Sequence, residues 1–252
     1  MRDHKAKIYI YGKHALSEAL LNAPQVIRKV FLSHETSGDK ELKFLLSKNK
    51  VPTAILKNTR EGDRMVGQDT AHQGVIAIAD PSSLVSDFKD FMRNLKPTPK
   101  TMFVLLDELT DPHNVGAIIR SAAALGATGV IMPDRRQAPI TGSVVKTSAG
   151  MVFRTPILSV SNANYAVDFL KDLDFKVYAL AASGRKNVSE AKFDSPSLFI
   201  IGNEGKGVRE KTLERCDEVL SIPMHPKCES LNASVSAAIV LHQWSAQHPE
   251  AL

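Results

Sequence analysis

Small hydroxyl and amide side chains are concentrated in one stretch of the chain, at Ser230, Asn232, Ser234 and Ser236. The residues just before this stretch have the composition of a buried strand, and those after it have that of a packed helix. Serine and asparagine in the first turn of a helix offer side-chain oxygens to backbone N–H groups that lack partners. The same side chains can hold a ligand, so the stretch fits either a capped helix or a binding site.

A second polar segment lies between an apolar strand at residues 103–106 and a helix whose apolar residues recur at helical spacing. Gly126 is placed to end that helix, and another strand begins at Gly129. Strand, turn, helix and strand in this order are typical of a parallel sheet, in which chemistry takes place at the carboxyl ends of the strands. Asn114 and Arg120 lie in or just after the turn and are therefore candidate functional residues.

A third segment, residues 198–210, places a glycine-rich turn after an apolar strand. The turn reads Gly-Asn-Glu-Gly-Lys-Gly, which matches neither the dinucleotide fingerprint G-x-G-x-x-G nor the phosphate loop G-x-x-x-x-G-K-[ST]. Glycines in this pattern equally fit a tight turn that requires positive φ. On its own, Glu204 is an exposed carboxylate in such a turn.

Together and in this order, the three segments resemble the three signature motifs of the SpoU/TrmH family of RNA ribose 2′-O-methyltransferases. Residues 111–120 resemble the first motif, residues 201–207 the second and residues 222–234 the third, within a resemblance that covers roughly residues 101–247. The order of three separate motifs is far more specific than any one of them. One departure is Pro226, where the family usually has glycine, since proline fixes φ and removes a donor.

The front of the chain also carries a resemblance. Residues 10–21 and 72–77 are similar to the small RNA-binding domain of family members that act on large-subunit ribosomal RNA. The resemblance implies an RNA-binding substrate domain over residues 1–79, a linker over 80–100 and a catalytic domain over 101–252. The implied fold is a trefoil-knotted α/β SPOUT methyltransferase domain with a mostly parallel sheet, preceded by a small ribosomal-protein-like α/β domain, and the implied assembly is a homodimer.

Periodicity alone predicts alternating strands and helices along the chain. Strands are expected near residues 26–32, 51–56, 74–79, 102–106, 128–132, 156–160, 175–181, 197–201 and 218–222. Helices are expected near residues 13–21, 40–48, 114–125, 162–172, 208–215 and 231–245.

Methyl transfer to a ribose hydroxyl is an in-line displacement that needs a held cofactor, a positioned hydroxyl, removal of its proton and exclusion of water. The resemblance implies S-adenosylmethionine (S-adenosyl-L-methionine) as the cofactor and ribosomal RNA as the substrate. The cofactor-binding residues it implies are Gly202, Ile222, Met224 and Leu231, and the catalytic residues are Asn114, Arg120, Glu204, Ser230 and Asn232.

Arg120 is the residue to which the family's proposed mechanism assigns activation of the hydroxyl. An arginine keeps its proton in proteins, with a pKa above about 12. We therefore favour a clamp in which the guanidinium grips a phosphate and stabilises the developing alkoxide. By the same resemblance, Glu204 orders the active-site loops by pairing with Arg120, and Ser230 and Asn232 bond the substrate or hold Arg120 and Asn114 in place.

Two histidines, His113 and His225, adjoin the motifs, and either could relay a proton near neutral pH. Exposed loop positions are the simpler interpretation of both. His, Cys and Asp residues show no metal-ligand spacing, so we expect no metal site.

Composition limits the class of protein. A chain of 252 residues with 43% hydrophobic residues is typical of one or two globular domains, and its apolar runs are far too short for a membrane span. Cys216 and Cys228 are expected to be reduced thiols, and the start of the chain shows no secretory signal, so we expect a cytoplasmic protein. The net charge of +5 is concentrated in residues 1–80, which hold 13 Lys and Arg against 9 Asp and Glu. That excess fits either an RNA-binding module or an ordinary solvated surface.

Three functions remain open at this stage. The leading hypothesis is an S-adenosylmethionine-dependent 2′-O-methyltransferase that acts on a guanosine of large-subunit (23S-type) ribosomal RNA. A tRNA substrate is the second, although minimal tRNA enzymes of the family often lack a basic front domain. The third is a non-catalytic RNA-binding protein of ribosome assembly, against which the intact motif residues argue.

Overall fold

The computed structural model describes residues 7–68 and 70–252. Within this range the helices are α1 (Lys13–Asn22), α2 (Lys40–Lys48), α3 (Thr59–Val66), α4 (Phe88–Met92), α5 (Pro112–Ala124), α6 (Gly142–Thr147), α7 (Ala163–Lys171), α8 (Glu210–Leu213) and α9 (Ala233–Gln247). The strands are β1 (Ile8–Tyr11), β2 (Ile27–Leu32), β3 (Thr53–Ile55), β4 (Val75–Ala79), β5 (Val85–Asp87), β6 (Met102–Asp107), β7 (Gly129–Pro133), β8 (Ile157–Val160), β9 (Lys176–Leu180), β10 (Lys186–Asn187), β11 (Ser197–Gly202) and β12 (Glu218–Ser221).

Contacts divide the chain into two compact units. The first unit contains the residues up to Val85 together with Ile140–Arg154, and the second contains Ser86–Pro139 and Thr155–Leu252. The segment Ile140–Arg154 comes from within the range that the sequence assigns to the catalytic domain, yet it packs with the front of the chain.

The first unit is built on a four-stranded sheet in the order β1-β4-β2-β3, with β4 antiparallel to both of its neighbours and β3 parallel to β2. Helix α6 packs on β1, where a Cβ added to Gly142 would lie 2.3 Å from the carbonyl oxygen of Tyr9. The guanidinium of Arg154 donates to both carboxylate oxygens of Glu18 on α1, at 2.6 and 2.9 Å. Close packing and this bidentate ion pair hold the segment Ile140–Arg154 in the unit.

The second unit is built on an eight-stranded sheet in the order β10-β12-β9-β11-β6-β7-β8-β5. The registered pairs from β10 to β8 are all parallel, which confirms the expected mostly parallel α/β sheet. Both faces of β6 are covered, because all six of its residues are buried. Strands β11 and β6 pair in register so that Gly202 is opposite Asp107. The turns that follow these two strands therefore begin side by side.

Helix α5 starts and ends as its sequence predicts. The side chain of Asp111 caps it by accepting from the backbone N–H of His113 at 2.9 Å, and Pro112 occupies the first helical position. Gly126 ends it at φ 81°, with the N–H of Ala127 donating to the carbonyl of Ala122 at 2.9 Å. Because Asp111 is the cap, the side chain of Asn114 is left for other contacts.

All of the strands and helices expected from periodicity occur, with ends shifted by a few residues and with α8 shorter than expected. Helices α3 and α6 and strands β1, β5 and β10 were not expected. Among the described residues, no helix has both the length and the apolar character required to cross a lipid bilayer.

Candidate active site

Three side chains from three separate segments form a continuous chain of hydrogen bonds in the second unit. The amide nitrogen of Asn232 donates to the amide oxygen of Asn114 at 2.9 Å. The amide nitrogen of Asn114 donates to Oε1 of Glu204 at 3.1 Å. Helices α5 and α9 pack against each other, and the adjacent ends of β6 and β11 place Glu204 beside α5. The fold thus joins one residue from each of the three predicted motifs.

Glu204 accepts hydrogen bonds from the turn that leads into α5. Its carboxylate accepts from the backbone N–H of Asp111 at 3.2 Å and from the backbone and hydroxyl of Thr110, both at 3.4 Å. Burial by itself would raise the pKa of this carboxyl. The hydrogen bonds from Asn114, Asp111 and Thr110 outweigh that effect and hold the pKa below its usual value of 4.5. Glu204 is therefore ionised at neutral pH and fixes the loop before α5.

Asn232 combines two tasks. Its side-chain oxygen caps α9 by accepting from the backbone N–H of Ser234 at 2.8 Å, while its nitrogen bonds Asn114. The two interpretations of this segment, a helix cap and a site residue, are thus compatible in a single side chain.

Arg120 lies on α5 with its side chain exposed. The expected pairing of Glu204 with Arg120 is wrong, because Glu204 is occupied by Asn114 and by the loop before α5. Within residues 7–68 and 70–252, Arg120 has no hydrogen bond or ion pair. Its guanidinium therefore has all of its donors available to an anion.

A cavity of about 540 Å³ opens beside this chain of hydrogen bonds. All four residues expected to bind the cofactor line it, and so do two of the expected catalytic residues: Gly202, Ile222, Met224, Leu231, Glu204 and Ser230. Asn114, Arg120 and Asn232 are not part of its lining. Apolar walls from Leu220 and Val208, combined with a few polar groups, are typical of small-molecule sites.

The glycine turn that forms one wall is tightly constrained. A Cβ added to Gly202 would lie 2.2 Å from the backbone nitrogen of Val208, so only glycine fits there. Asn203 and Gly207 exchange backbone hydrogen bonds at 3.0 and 2.9 Å, and the side-chain oxygen of Asn203 accepts from the N–H groups of Gly205 and Lys206. The turn is a rigid wall rather than a phosphate loop.

Ser230 is exposed at the cavity and, in the described part of the chain, makes no side-chain hydrogen bond, so it does not hold Asn114 or Arg120. His113 and His225 are both exposed, as expected, although His113 lies within α5. Nδ1 of His225 accepts from the N–H of Lys227 at 3.2 Å. No group of three or more His, Cys, Asp or Glu side chains in the described ranges is placed to hold a metal ion.

Sequence reasoning missed one ion pair beside the site. Asp107, at the end of β6, is completely buried and accepts from the guanidinium of Arg209 at 2.6 Å. Arg209 also contacts Glu108 at 3.2 Å, and Asn203 donates to the carbonyl of Glu108 at 2.8 Å. These contacts tie the turn after β11 to the end of β6. The sequence did offer a signal for this ion pair, because the carboxylate of Asp107 directly follows the apolar residues of β6.

Family models match most of the chain. Residues 101–242 match the SpoU rRNA methylase family, and residues 9–85 match a domain described as RNA 2′-O ribose methyltransferase substrate binding.

Two curated relatives illustrate the similarity. A 23S rRNA (guanosine-2′-O-)-methyltransferase, RlmB of Neisseria meningitidis serogroup B, is 32% identical over 240 residues, which cover 93% of each chain. A Synechocystis protein described as an uncharacterized tRNA/rRNA methyltransferase is 33% identical over 242 residues, or 93% of this chain and 61% of the relative. The chain spans about 60% of the length of that relative and of its counterparts in Mycobacterium avium and Mycolicibacterium gilvum.

Solved structures give the same result for the fold. The SpoU methyltransferase AviRb of Streptomyces viridochromogenes, in complex with AdoMet, is 26% identical and matches with a TM-score of 0.80 over 96% of this chain and 91% of its own. A TrmH/SpoU tRNA-modifying enzyme of A. aeolicus is 27% identical and matches with a TM-score of 0.54 over 60% of this chain and 77% of its own. Because the family model covers the three motifs and the cavity, the chain belongs to the SpoU rRNA methylase family.

Proposed function

We propose that this protein transfers a methyl group from S-adenosylmethionine to a ribose 2′-hydroxyl of RNA. The observation that carries the proposal is the hydrogen-bonded chain from Asn232 through Asn114 to Glu204 beside a 540 Å³ cavity. A capped helix and a tight turn have no need of such a connection between segments that lie 90 and 118 residues apart.

The residues of the cavity fit the proposed cofactor. Its volume lies in the range of small-molecule sites, roughly 300–1,000 Å³, and Ile222, Met224 and Leu231 supply apolar surface for an adenine ring. Gly202 leaves the backbone open to close approach. The related AviRb structure contains this cofactor. When bound, S-adenosylmethionine supplies an electrophilic methyl group on a sulfonium sulfur.

The protein's own residues would position the hydroxyl and balance its charge. The lowered pKa of Glu204 makes it a weak proton acceptor at neutral pH, so we assign it to holding Asn114 and the loop before α5. Asn114 is oriented at both ends of its amide, which fixes the group that faces a ribose. Arg120, exposed and without a partner in the described chain, would grip a phosphate and stabilise the alkoxide.

For the substrate we propose a guanosine of large-subunit ribosomal RNA. A relative named for this activity aligns over 93% of the chain, including the front of it. The tRNA-modifying structure aligns over only 60%. By the same similarity we propose that residues 1–79 bind the RNA. The catalytic domain, residues 101–252, would carry the trefoil knot and form a homodimer. The enzyme would act in the cytoplasm.

Two measurements test the proposal. Titration calorimetry with S-adenosylmethionine on the full chain should show binding. Mass-spectrometric mapping of 2′-O-methyl groups in a strain that lacks the gene should show one guanosine of large-subunit RNA that loses its methyl group. A missing methyl group in tRNA would support the second substrate class. Absence of cofactor binding by the folded protein would support a non-catalytic RNA-binding function.

A further inference from the structure

The first unit contains a cavity of its own, of about 430 Å³, which shares no lining residue with the cavity of the second unit. We call it the loop cavity. Asp63 and the loops at residues 33–35, 56–59 and 70–74 define it. Ten of its thirteen lining residues are polar or charged, so it differs from a packing defect in an apolar core.

A buried histidine forms part of its wall. His72 is only 5% exposed, and its Nδ1 accepts from the backbone N–H of Gly74 at 3.0 Å. The ring hydrogen must therefore be on Nε2, which lies 3.4 Å from Oδ1 of Asp63. A Cβ added to Gly62 would lie 2.8 Å from the ring, so α3 packs closely on this histidine. The contacts with Gly74 and Gly62 fix the ring, and the carboxylate of Asp63 lies beside it.

That carboxylate offers an acceptor to the cavity. The side chain of Asp63 is 25% exposed, and its second oxygen has no hydrogen-bond partner in the part of the chain that the structure describes. Asn58 lies in the same lining, where its side-chain oxygen caps α3 by accepting from the N–H of Glu61 at 3.0 Å. The cap leaves the amide nitrogen of Asn58 as a donor.

Three exposed cations lie on α3 or in the loop just before it. Lys57 lines the cavity, and Arg60 and Arg64 lie one turn apart on α3, on the same side of the helix as Asp63. None of the three forms an ion pair with another described residue. A carboxylate in the cavity lining, together with unpaired cations on the adjoining helix and loop, suits a ligand that combines N–H donors with negative phosphates, which is the chemistry of a nucleotide.

We propose that the loop cavity binds one unpaired guanine nucleotide of the RNA. Guanine presents two neighbouring donors on one edge, N1–H and N2–H, and a carboxylate can accept from both together. The other bases lack this pair of donors. Bases displayed in single-stranded loops are the usual targets of sequence-specific RNA recognition. The nucleotide bound here would be recognised and not methylated. The inference rests on the proposed function because it takes RNA as the substrate.

The test is fluorescence anisotropy with the full chain and a labelled single-stranded RNA of uridines with one central guanosine. Matched RNAs carry inosine, which lacks the N2 amino group, or adenosine at that position. We expect the guanosine RNA to bind about tenfold more tightly than either, since a bidentate base contact discriminates by about this factor. Asp63→Asn should abolish the preference. Glu41→Gln, the same change at a carboxylate that is 69% exposed on α2, should retain it.

A second variant tests the cavity without changing Asp63. Ala71→Phe, at an exposed position of the lining, should fill the cavity and also abolish the preference. Equal binding of the three RNAs by the wild type would overturn the inference, as would a preserved preference in folded Asp63→Asn or Ala71→Phe protein. Methyl transfer measured in parallel separates the two proposals. If the protein methylates RNA but shows no preference for guanosine, only the proposal for the loop cavity fails. If it prefers guanosine but neither methylates RNA nor binds the cofactor, only the proposed methyltransferase function fails.

Discussion

At the scale of single residues, Asn232 has two functions that can be separated by substitution. Asn232→Asp keeps an oxygen for the N–H of Ser234 but removes the donor to Asn114. We expect the melting temperature to change by a few degrees at most and single-turnover methylation to fall more than a hundredfold, since a positioned hydrogen bond can be worth about 3 kcal/mol in the transition state. Asn232→Ala should lose activity and also about 0.5–2 kcal/mol of stability.

Asn162 provides a matched control, because it caps α7 through the N–H of Asn164 at 2.9 Å and lies outside the cavity lining. Asn162→Ala should lose comparable stability and keep its turnover. Near-normal turnover in Asn232→Asp would mean that the side chain of Asn232 has only a structural role.

Arg120 gives a second prediction at this scale. Because it does not line the cavity and has no partner among described residues, Arg120→Ala should abolish methylation while the Kd for S-adenosylmethionine stays within a few-fold. Arg120→Lys should restore little activity, since lysine keeps the charge but loses the planar fork. Calorimetry and single-turnover assays on the same preparations measure both quantities. A large loss of cofactor affinity in the folded variant would show that Arg120 belongs to the cofactor site.

At the scale of the elements, the glycine turn after β11 depends on the absence of one side chain. Gly202→Ala would place a Cβ 2.2 Å from backbone, so the turn must shift and the cavity must change shape. We expect cofactor affinity to fall more than tenfold, measured by calorimetry. Gly38→Ala is the control, because nothing lies within 4 Å of its Cβ. Unchanged affinity in Gly202→Ala would mean that this wall does not contact the cofactor.

The end of β4 gives a prediction about pH. Hydrogen bonds from Ser82 and then from Arg28 lower the pKa of Asp80 from 3.8 to about 2. A lowered pKa contributes stability that is fully present above pH 3.8 and is lost as the pH falls towards 2. Thermal melting of wild type and Asp80→Asn should therefore differ at pH 6 and converge between about pH 4 and pH 2. A constant difference across that range would contradict the assignment.

Sequence periodicity was sufficient for elements with a strong apolar pattern and insufficient for short polar ones. Helix α3 has few apolar residues and begins at its Asn58 cap, and the six-residue α6 packs on β1. Motif order identified four residues, expected to bind the cofactor, that line one cavity. It could not show that Glu204 bonds Asn114 rather than Arg120, because that choice depends on how β11, β6 and α5 pack.

At the scale of the whole molecule, the path of the chain is more interlaced than a linker at residues 80–100 suggests. After Pro139 the chain contributes Ile140–Arg154 to the first unit and then returns to the second. Five hydrophobic side chains of the contributed segment are buried: Ile140, Val144, Val145, Val152 and Phe153. Sequence alone could not reveal this exchange, because only tertiary contacts assign the segment to a unit.

The interlacing predicts the outcome of a truncation. Removal of residues 1–84 would take away β1 and α1, against which α6 and Arg154 pack, and would leave the apolar segment in water while keeping the second unit complete. We expect the shortened protein to aggregate or to melt many degrees lower, because burial contributes about 25 cal/mol per Å² of apolar surface. A second variant that also replaces residues 140–154 with a short glycine–serine linker should be monodisperse and bind S-adenosylmethionine. Size-exclusion chromatography and calorimetry compare the two. If the simple truncation is monodisperse with full cofactor affinity, the segment does not depend on the first unit.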